Sequence, residues 1–206
     1  MSNYKIVDFV DWLDNGQLGL ADVLKIREFI NAPFKVHPLG FYSCTLLHEN
    51  NQKIRLHYWD SITNGEQQSS ELMIHDHIFD FKSWIMLGAL ENTEYEVSDE
   101  GELYYLYSTK YENDSSILKI TDDSLKITHK NSSIYTQGMS YVMGANVLHK
   151  TRSLTDRAFT ILHTQDMEYT SPRVLSNTNT SESEIIFHRK DVNEHELLKK
   201  LTTLVF

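Results

Sequence analysis

Residues 73–81 read Met73-Ile-His75-Asp-His77-Ile-Phe79-Asp-Phe81. Read with a period of two, the stretch predicts a β-strand that puts His75, His77, Phe79 and Phe81 on one face. Asp76 and Asp80 then fall on the other face. Two imidazoles among phenyl rings belong to an interior side. Two neutral nitrogens from one element are most of what a first-row metal needs.

A second stretch supplies another nitrogen. Gly138-Met-Ser-Tyr-Val-Met-Gly144-Ala-Asn146-Val-Leu-His149-Lys-Thr-Arg-Ser153 reads as turn, strand, turn, strand. His149 shares a face with Val147 and Thr151, while Lys150 and Arg152 alternate outward. A third histidine therefore turns inward about 70 residues after the first pair. One barrel offering ligands from two antiparallel strands has this arrangement. His75, His77 and His149 are the candidate metal ligands.

The flanking sequence predicts an all-β chain with a helix near each end. Leu20, Val23, Leu24, Ile26 and Ile30 recur at helical spacing within Leu18 to Ile30, and Ala32-Pro33 ends that helix. Period-two strands follow at Tyr42–Leu47, Lys53–Trp59, Lys82–Leu87, Glu94–Val97 and Leu103–Tyr107. Shorter ones are expected at Ile117–Ile120, Leu125–His129, Ser140–Met143, Asn146–Thr151, Ala158–Thr164 and Glu184–His188. Polar clusters at Ser98–Gly101, Asn113–Ser116, Thr121–Ser124 and Lys130–Ser133 read as turns between them. Ser171–Ser183 reads as a surface loop, and Asp191 to Leu204 as a helix burying Leu197, Leu198 and Leu201. Many short strands at this spacing mean a sandwich or closed barrel. The expected organisation is one domain over residues 1–206: a helical extension over 1–35, a barrel over 40–170, and a strand and helix over 184–206.

Composition narrows the function classes. Lys and Arg number 19 against 29 Asp and Glu, a net charge of −10, with no basic run to track phosphates, so no nucleic-acid partner is expected. No apolar run reaches the ~18 residues of a membrane span. The start, MSNYKIVDFVDWLDNG, is too acidic for a signal peptide, so no membrane and a cytoplasmic location are expected. The single cysteine, Cys44, excludes an internal disulfide and a cysteine-rich zinc site.

The two histidine stretches resemble the motifs of the cupin superfamily. His75-x-His77 with Gly88 matches the first motif. Gly138, Gly144, Asn146, His149 and Ser153 match the spacing of the second, with Gly144, Asn146 and Ser153 standing where Pro, Gly and Asn are usual. The resemblance runs from about Gly40 to Gln165 and implies a double-stranded β-helix (jelly-roll) barrel. The usual glutamate ligand is missing, since Asp80, Phe81 and Lys82 occupy its region. The remaining three histidines are similar to the set of the thiol dioxygenases, and Gly40-Phe-Tyr42, Lys53–Trp59, Ser69–His77 and Gly88–Tyr95 also look like that branch. The resemblance implies Fe(II), with O2 and a small molecule as substrates, and by analogy a homodimer. Zn, Mn, Ni or Cu, and non-redox chemistry such as isomerisation or lyase work, stay open, as does a metal-free ligand-binding role. Three features depart from the branch. Cys44 stands where an arginine holds the substrate carboxylate, Ile161-x-His163-x-Gln165 replaces Ser-x-His-x-Tyr, and no cysteine lies near Phe81.

Other residues are candidates for the pocket. His163, on a face with Phe159 and Ile161, is the candidate acid or base. Trp59, Phe79 and Phe81 would form an apolar wall that keeps water out. Arg55 and His57 share a face with Trp59. The opposite face, Ile54, Leu56 and Tyr58, is more apolar, so which of the two faces inward stays open. His37, His48, His129, His188 and His195 are expected at the surface, and Cys44 as a buried structural thiol.

Overall fold

The computed structural model describes residues 4–60, 72–112, 115–167, 171–178 and 183–203. Near the start, α1 (Ile6–Asp14) buries Ile6, Phe9 and Leu13 at helical spacing. Next comes α2 (Leu20–Ile30), where the Asp22 carboxylate accepts the Gly19 N–H at 3.1 Å and so caps the first turn. It ends on Asn31 in the left-handed conformation, just before Ala32-Pro33. The third helix, α3 (Glu194–Thr202), is capped by the Asn193 side chain.

Among the described residues, twelve strands form two antiparallel sheets. The first contains β1 (Lys35–Val36), β2 (Tyr42–Glu49), β3 (Gln52–Asp60), β5 (Phe79–Leu87), β8 (Ser140–Met143) and β10 (Arg157–Asp166), in the order β1-β2-β3-β10-β5-β8. The second contains β4 (Ile74–His75), β6 (Ala89–Glu112), β7 (Ser115–Thr136), β9 (His149–Ser153), β11 (Arg173–Ser176) and β12 (Glu184–His188), in the order β11-β4-β9-β6-β7-β12.

The first sheet carries apolar side chains on both faces. Ile54, Leu56 and Tyr58 of β3 and Phe159 and Ile161 of β10 pack with Phe9, Val23, Leu197 and Leu201 of the three helices. Each such buried side chain contributes roughly 2 kcal/mol of apolar transfer. The helices are tied to each other as well: the buried Arg27 pairs with Glu194 at 2.6 Å, and the same carboxylate accepts the Phe34 N–H at 2.8 Å. The alternate residues of β3, Arg55, His57 and Trp59, face the space between the sheets. Both faces of β3 are thus covered, one by the helices and the other by the cavity wall.

The strands expected at Ser140–Met143 and Glu184–His188 are present with those bounds. Most of the expected polar turns are not turns. β6 and β7 form one long hairpin that keeps pairing across Ser98–Gly101, Thr121–Asp123 and Lys130, each a register shift inside a strand. Extra residues in one strand bend a ladder without ending it, and short polar residues suit such bulges. Gly101 lies against Ile127 so closely that a Cβ would sit 2.4 Å from its backbone. Residues 113–114 lie outside the described residues, as do Ser69–Glu71 and Leu204.

The surface loop expected at 171–183 is also corrected. Arg173–Ser176 is the strand β11, paired with both β4 and β6, with Val174, Leu175 and Ser176 buried. A four-residue strand with no alternation, among polar residues, leaves little signal in the sequence. Both β11 and β12 belong to the second sheet, so its strands continue beyond residue 170. Among the described residues, no helix is long and apolar enough to cross a membrane.

Candidate metal centre

His75 on β4 and His149 on β9 lie directly opposite one another across an antiparallel pair. His77 follows two residues on, held by the Asn146 N–H, which donates to its carbonyl at 2.9 Å. The three rings have centroids 4.6 to 5.0 Å apart. Each offers one nitrogen, and the three nitrogens lie within 4.8 Å of one another.

The tautomers follow from the hydrogen bonds. His75 Nδ1 lies 2.9 Å from the Met73 carbonyl, and His149 Nδ1 lies 2.9 Å from the Val147 carbonyl. A carbonyl only accepts, so both Nδ1 atoms carry the proton and both Nε2 lone pairs are free. Such outer bonds orient metal-binding imidazoles. Burial, the largest cause in each case, pushes His149 down to about 3 and holds His75 below and His77 well below the usual histidine range. Neutral imidazoles are the form that ligates. The donor set therefore suits a divalent transition metal of the iron-to-zinc series.

The nearby carboxylates are engaged elsewhere. Asp76, between the first two histidines, turns away and accepts from Arg173 N and Nε, both at 2.6 Å. The same guanidinium reaches the Asn146 carbonyl at 3.3 Å, which joins the two histidine stretches. Asp80 accepts the Ala145 N–H at 2.7 Å on the outer side. Asn146 adopts φ 62°, a left-handed conformation that asparagine tolerates, and this accounts for a residue other than glycine at that position. Gly88 has φ 75°, and a Cβ there would lie 2.3 Å from the Arg157 carbonyl.

The histidines open into a cavity of about 420 Å3 between the sheets. Trp59, Phe79, Phe81, Arg55 and His57 all line it, so on β3 it is the Arg55–His57–Trp59 face that meets the cavity. Phe79 stacks on His77 at 4.5 Å, and Phe81 stands edge-on to it at 5.8 Å. His57 sits between Phe41 at 4.6 Å and Trp59 at 5.7 Å.

His163 is a correction. The cavity-facing residues of β10 are Thr160 and Leu162, so His163 points to the opposite face. There it bonds the Gln52 side-chain oxygen at 2.8 Å, beside Asp80 and Lys82 in a separate hollow. Phe159 and Ile161, which suggested an inward face, pack under the helices. His37 is another correction: it lines the cavity, stacked on Phe41 at 4.3 Å, with Nδ1 accepting the Leu39 N–H. Cys44 is buried among the helix-facing residues and donates to the Ala32 carbonyl at 3.6 Å; burial pushes its thiol up to about 12.

The sequence reading missed Thr109, Tyr111 and Arg189, which also line the cavity. The spacing of Thr109 and Tyr111 on one strand face was a usable signal, whereas Arg189 lies past β12 and carried none. The chain matches no family model and no curated protein.

The buried imidazoles make stability depend on pH. Burial above all lowers His57 to about 3 in the folded chain, against 6.5 when exposed. Below pH 6.5 the unfolded chain binds a proton that the folded one refuses, so stability falls as pH drops from 6.5 towards 3. At pH 5 this one group removes about 2 kcal/mol relative to neutral pH. His57→Phe keeps a ring in the stack and is expected to reduce the loss between pH 7 and pH 5 by that amount, read from urea unfolding. An equal loss in variant and parent would show that His57 is not held neutral.

Proposed function

We propose that the two sheets form a cupin jelly roll and that the chain is an Fe(II)-dependent oxygenase of a small molecule, similar to the three-histidine thiol dioxygenases. The observation that carries this reading is the set of three neutral imidazoles gathered in an aromatic cavity, with no carboxylate in the cluster among the described residues.

His75, His77 and His149 would hold the ion. An iron(II) ion held there would supply the redox chemistry with O2 and a binding point for a donor atom. The protein's part is to keep the imidazoles deprotonated by burial and aimed by the Met73 and Val147 carbonyls. Three neutral ligands leave more positive charge on the site than two histidines and a carboxylate would, which favours an anionic donor such as a thiolate or enolate. Phe79 and Phe81 exclude water from one side and limit the approach of the substrate.

The test is elemental analysis of the purified protein followed by oxygen-electrode assays with small thiols and enolisable acids. About one iron per chain and donor-dependent O2 consumption are expected. Zinc with no O2 uptake would overturn the oxygenase in favour of a non-redox metal enzyme. No metal after growth in iron-rich medium would overturn the metal centre itself.

A further inference from the structure

On the β3 side of the cavity, four rings gather outside the three-histidine set. The turn between β1 and β2 places two of them. The His37 N–H donates to the Phe41 carbonyl at 2.7 Å, and the Gly40 N–H donates to the His37 carbonyl at 2.9 Å. The His37 ring lies flat on Phe41, at 4.3 Å and 8°. β3 brings the other two, His57 at 4.6 Å and Trp59 at 4.9 Å from Phe41. β10 stands between β3 and β5. Two interstrand steps, about 10 Å, therefore separate the strand of His57 and Trp59 from that of Phe79 and Phe81.

These rings are not closed off as core aromatics are. Ile54, Leu56 and Tyr58, on the helix side of β3, have no accessible surface, whereas His37, His57 and Trp59 keep some. Their polar edges are also unspent. His37 Nδ1 accepts the Leu39 N–H, so the ring proton sits on Nε2, a donor with no partner among the described residues. No described residue bonds either ring nitrogen of His57 or the indole N–H of Trp59. Unlike the occluded Thr160 hydroxyl, these nitrogens are open to the cavity. Burial, the largest cause for both, holds His37 well below the usual histidine range and His57 at about 3. Both rings are therefore neutral, and His57 offers one donor and one acceptor. Apolar ring faces with a few convergent polar atoms on the rim are the usual make-up of a small-molecule site.

We propose that His37, Phe41, His57 and Trp59 form a second subsite of the cavity, one that takes a flat, neutral ring with polar atoms on its edge, such as a phenol or a nitrogen heterocycle. The faces of such a ring meet the aromatic side chains in stacked or edge-on contact. Its edge exchanges hydrogen bonds with the nitrogens of His37, His57 and Trp59. A saturated ring of the same outline keeps the polar edge and loses the faces. A bare hydrocarbon ring keeps the faces and leaves the nitrogens unmatched. The assignment deepens the oxygenase reading and rests on it only for the other end of the ligand, which would reach the three histidines past β10. A molecule that spans both is a ring with a side arm, not a short chain alone.

The test uses ligand-observed NMR on the full-length, metal-free protein, with neutral 2-pyridone and its saturated counterpart 2-piperidone as probes at millimolar concentration. The two share one edge, an N–H beside a carbonyl, and differ in aromaticity. 2-Pyridone is expected to bind at least about fivefold more tightly than 2-piperidone. Trp59→Leu removes one ring and one donor and is expected to weaken 2-pyridone by about fivefold or more. His57→Phe keeps the ring and loses the nitrogens, and should weaken it by about threefold or more. Phe79→Leu, at the histidine end, should leave it unchanged. Equal affinity for the two probes, no 2-pyridone binding, undiminished binding in Trp59→Leu and His57→Phe, or an equal loss in Phe79→Leu would each overturn the subsite. Should Trp59→Leu fail to fold, His57→Phe against Phe79→Leu decides. Binding is read without metal, so absent iron in the purified protein counts against the oxygenase, and unselective binding counts against the subsite.

Discussion

Replacing His75 or His149 by alanine is expected to reduce retained metal from about one ion per chain to under about a tenth, with the chain still folded. The two residues face each other across β4 and β9, and each contributes one Nε2 lone pair while its Nδ1 is tied to a carbonyl. Removing either leaves two nitrogens, and water would have to replace the third. Neither ring supports the helix-packed core on the far side of the first sheet, so the cooperative unfolding transition should survive. His163→Ala is the matched control. It removes an imidazole from β10 of the other sheet, on the face that bonds Gln52, and it should leave metal content at the parent level. Elemental analysis of the three variants decides the matter, and full metal in both His75→Ala and His149→Ala would remove the site.

The second large effect is expected at Asp76. Its side chain is 1% exposed, and it accepts two bonds from Arg173, one from the backbone and one from the guanidinium. Asp76→Ala would leave both donors without their acceptor at a buried position, a loss of about 3 kcal/mol. For a chain of 206 residues this corresponds to roughly 6–12 °C in melting temperature. The same change removes the side-chain tie from the segment carrying His75 and His77 to Arg173, which also reaches the Asn146 carbonyl, and leaves only backbone pairing to hold it, so metal affinity should fall by roughly 10–100-fold. Asp80→Ala is the comparison, since that carboxylate accepts one backbone N–H on the outer side and should cost about 1 kcal/mol. Calorimetric melting of the two variants, with and without added iron, reads both effects. Equal melting temperatures would show that Asp76 does not hold the site.

The candidate metal-binding set was legible because alternation is a local property. His75, His77, Phe79 and Phe81 share a face for the same reason that Asp76 and Asp80 do not, and no long-range information is needed to see it. His163 shows where that logic ends. Alternation places it with Phe159 and Ile161, but whether that face meets helices or cavity depends on helices elsewhere in the chain, two of them more than a hundred residues away. When a sheet is apolar on both sides, hydrophobicity no longer identifies the interior. The β6–β7 hairpin was misread in another way, because bulges and turns recruit the same small polar residues. The partnership of Arg173 with Asp76 and the position of Arg189 depend on tertiary contacts with no local pattern.

β3 has one further consequence. Its even-numbered residues meet the helices and its odd-numbered residues meet the cavity, so neighbouring positions in 54–59 serve different purposes. The sheet acts as a partition, with the mechanical bond of the molecule on one side and the cavity on the other. Selection for a new ligand can therefore work on Arg55, His57 and Trp59 while Ile54, Leu56 and Tyr58 stay fixed. A single strand of this kind lets the chamber evolve without loosening the scaffold that encloses it.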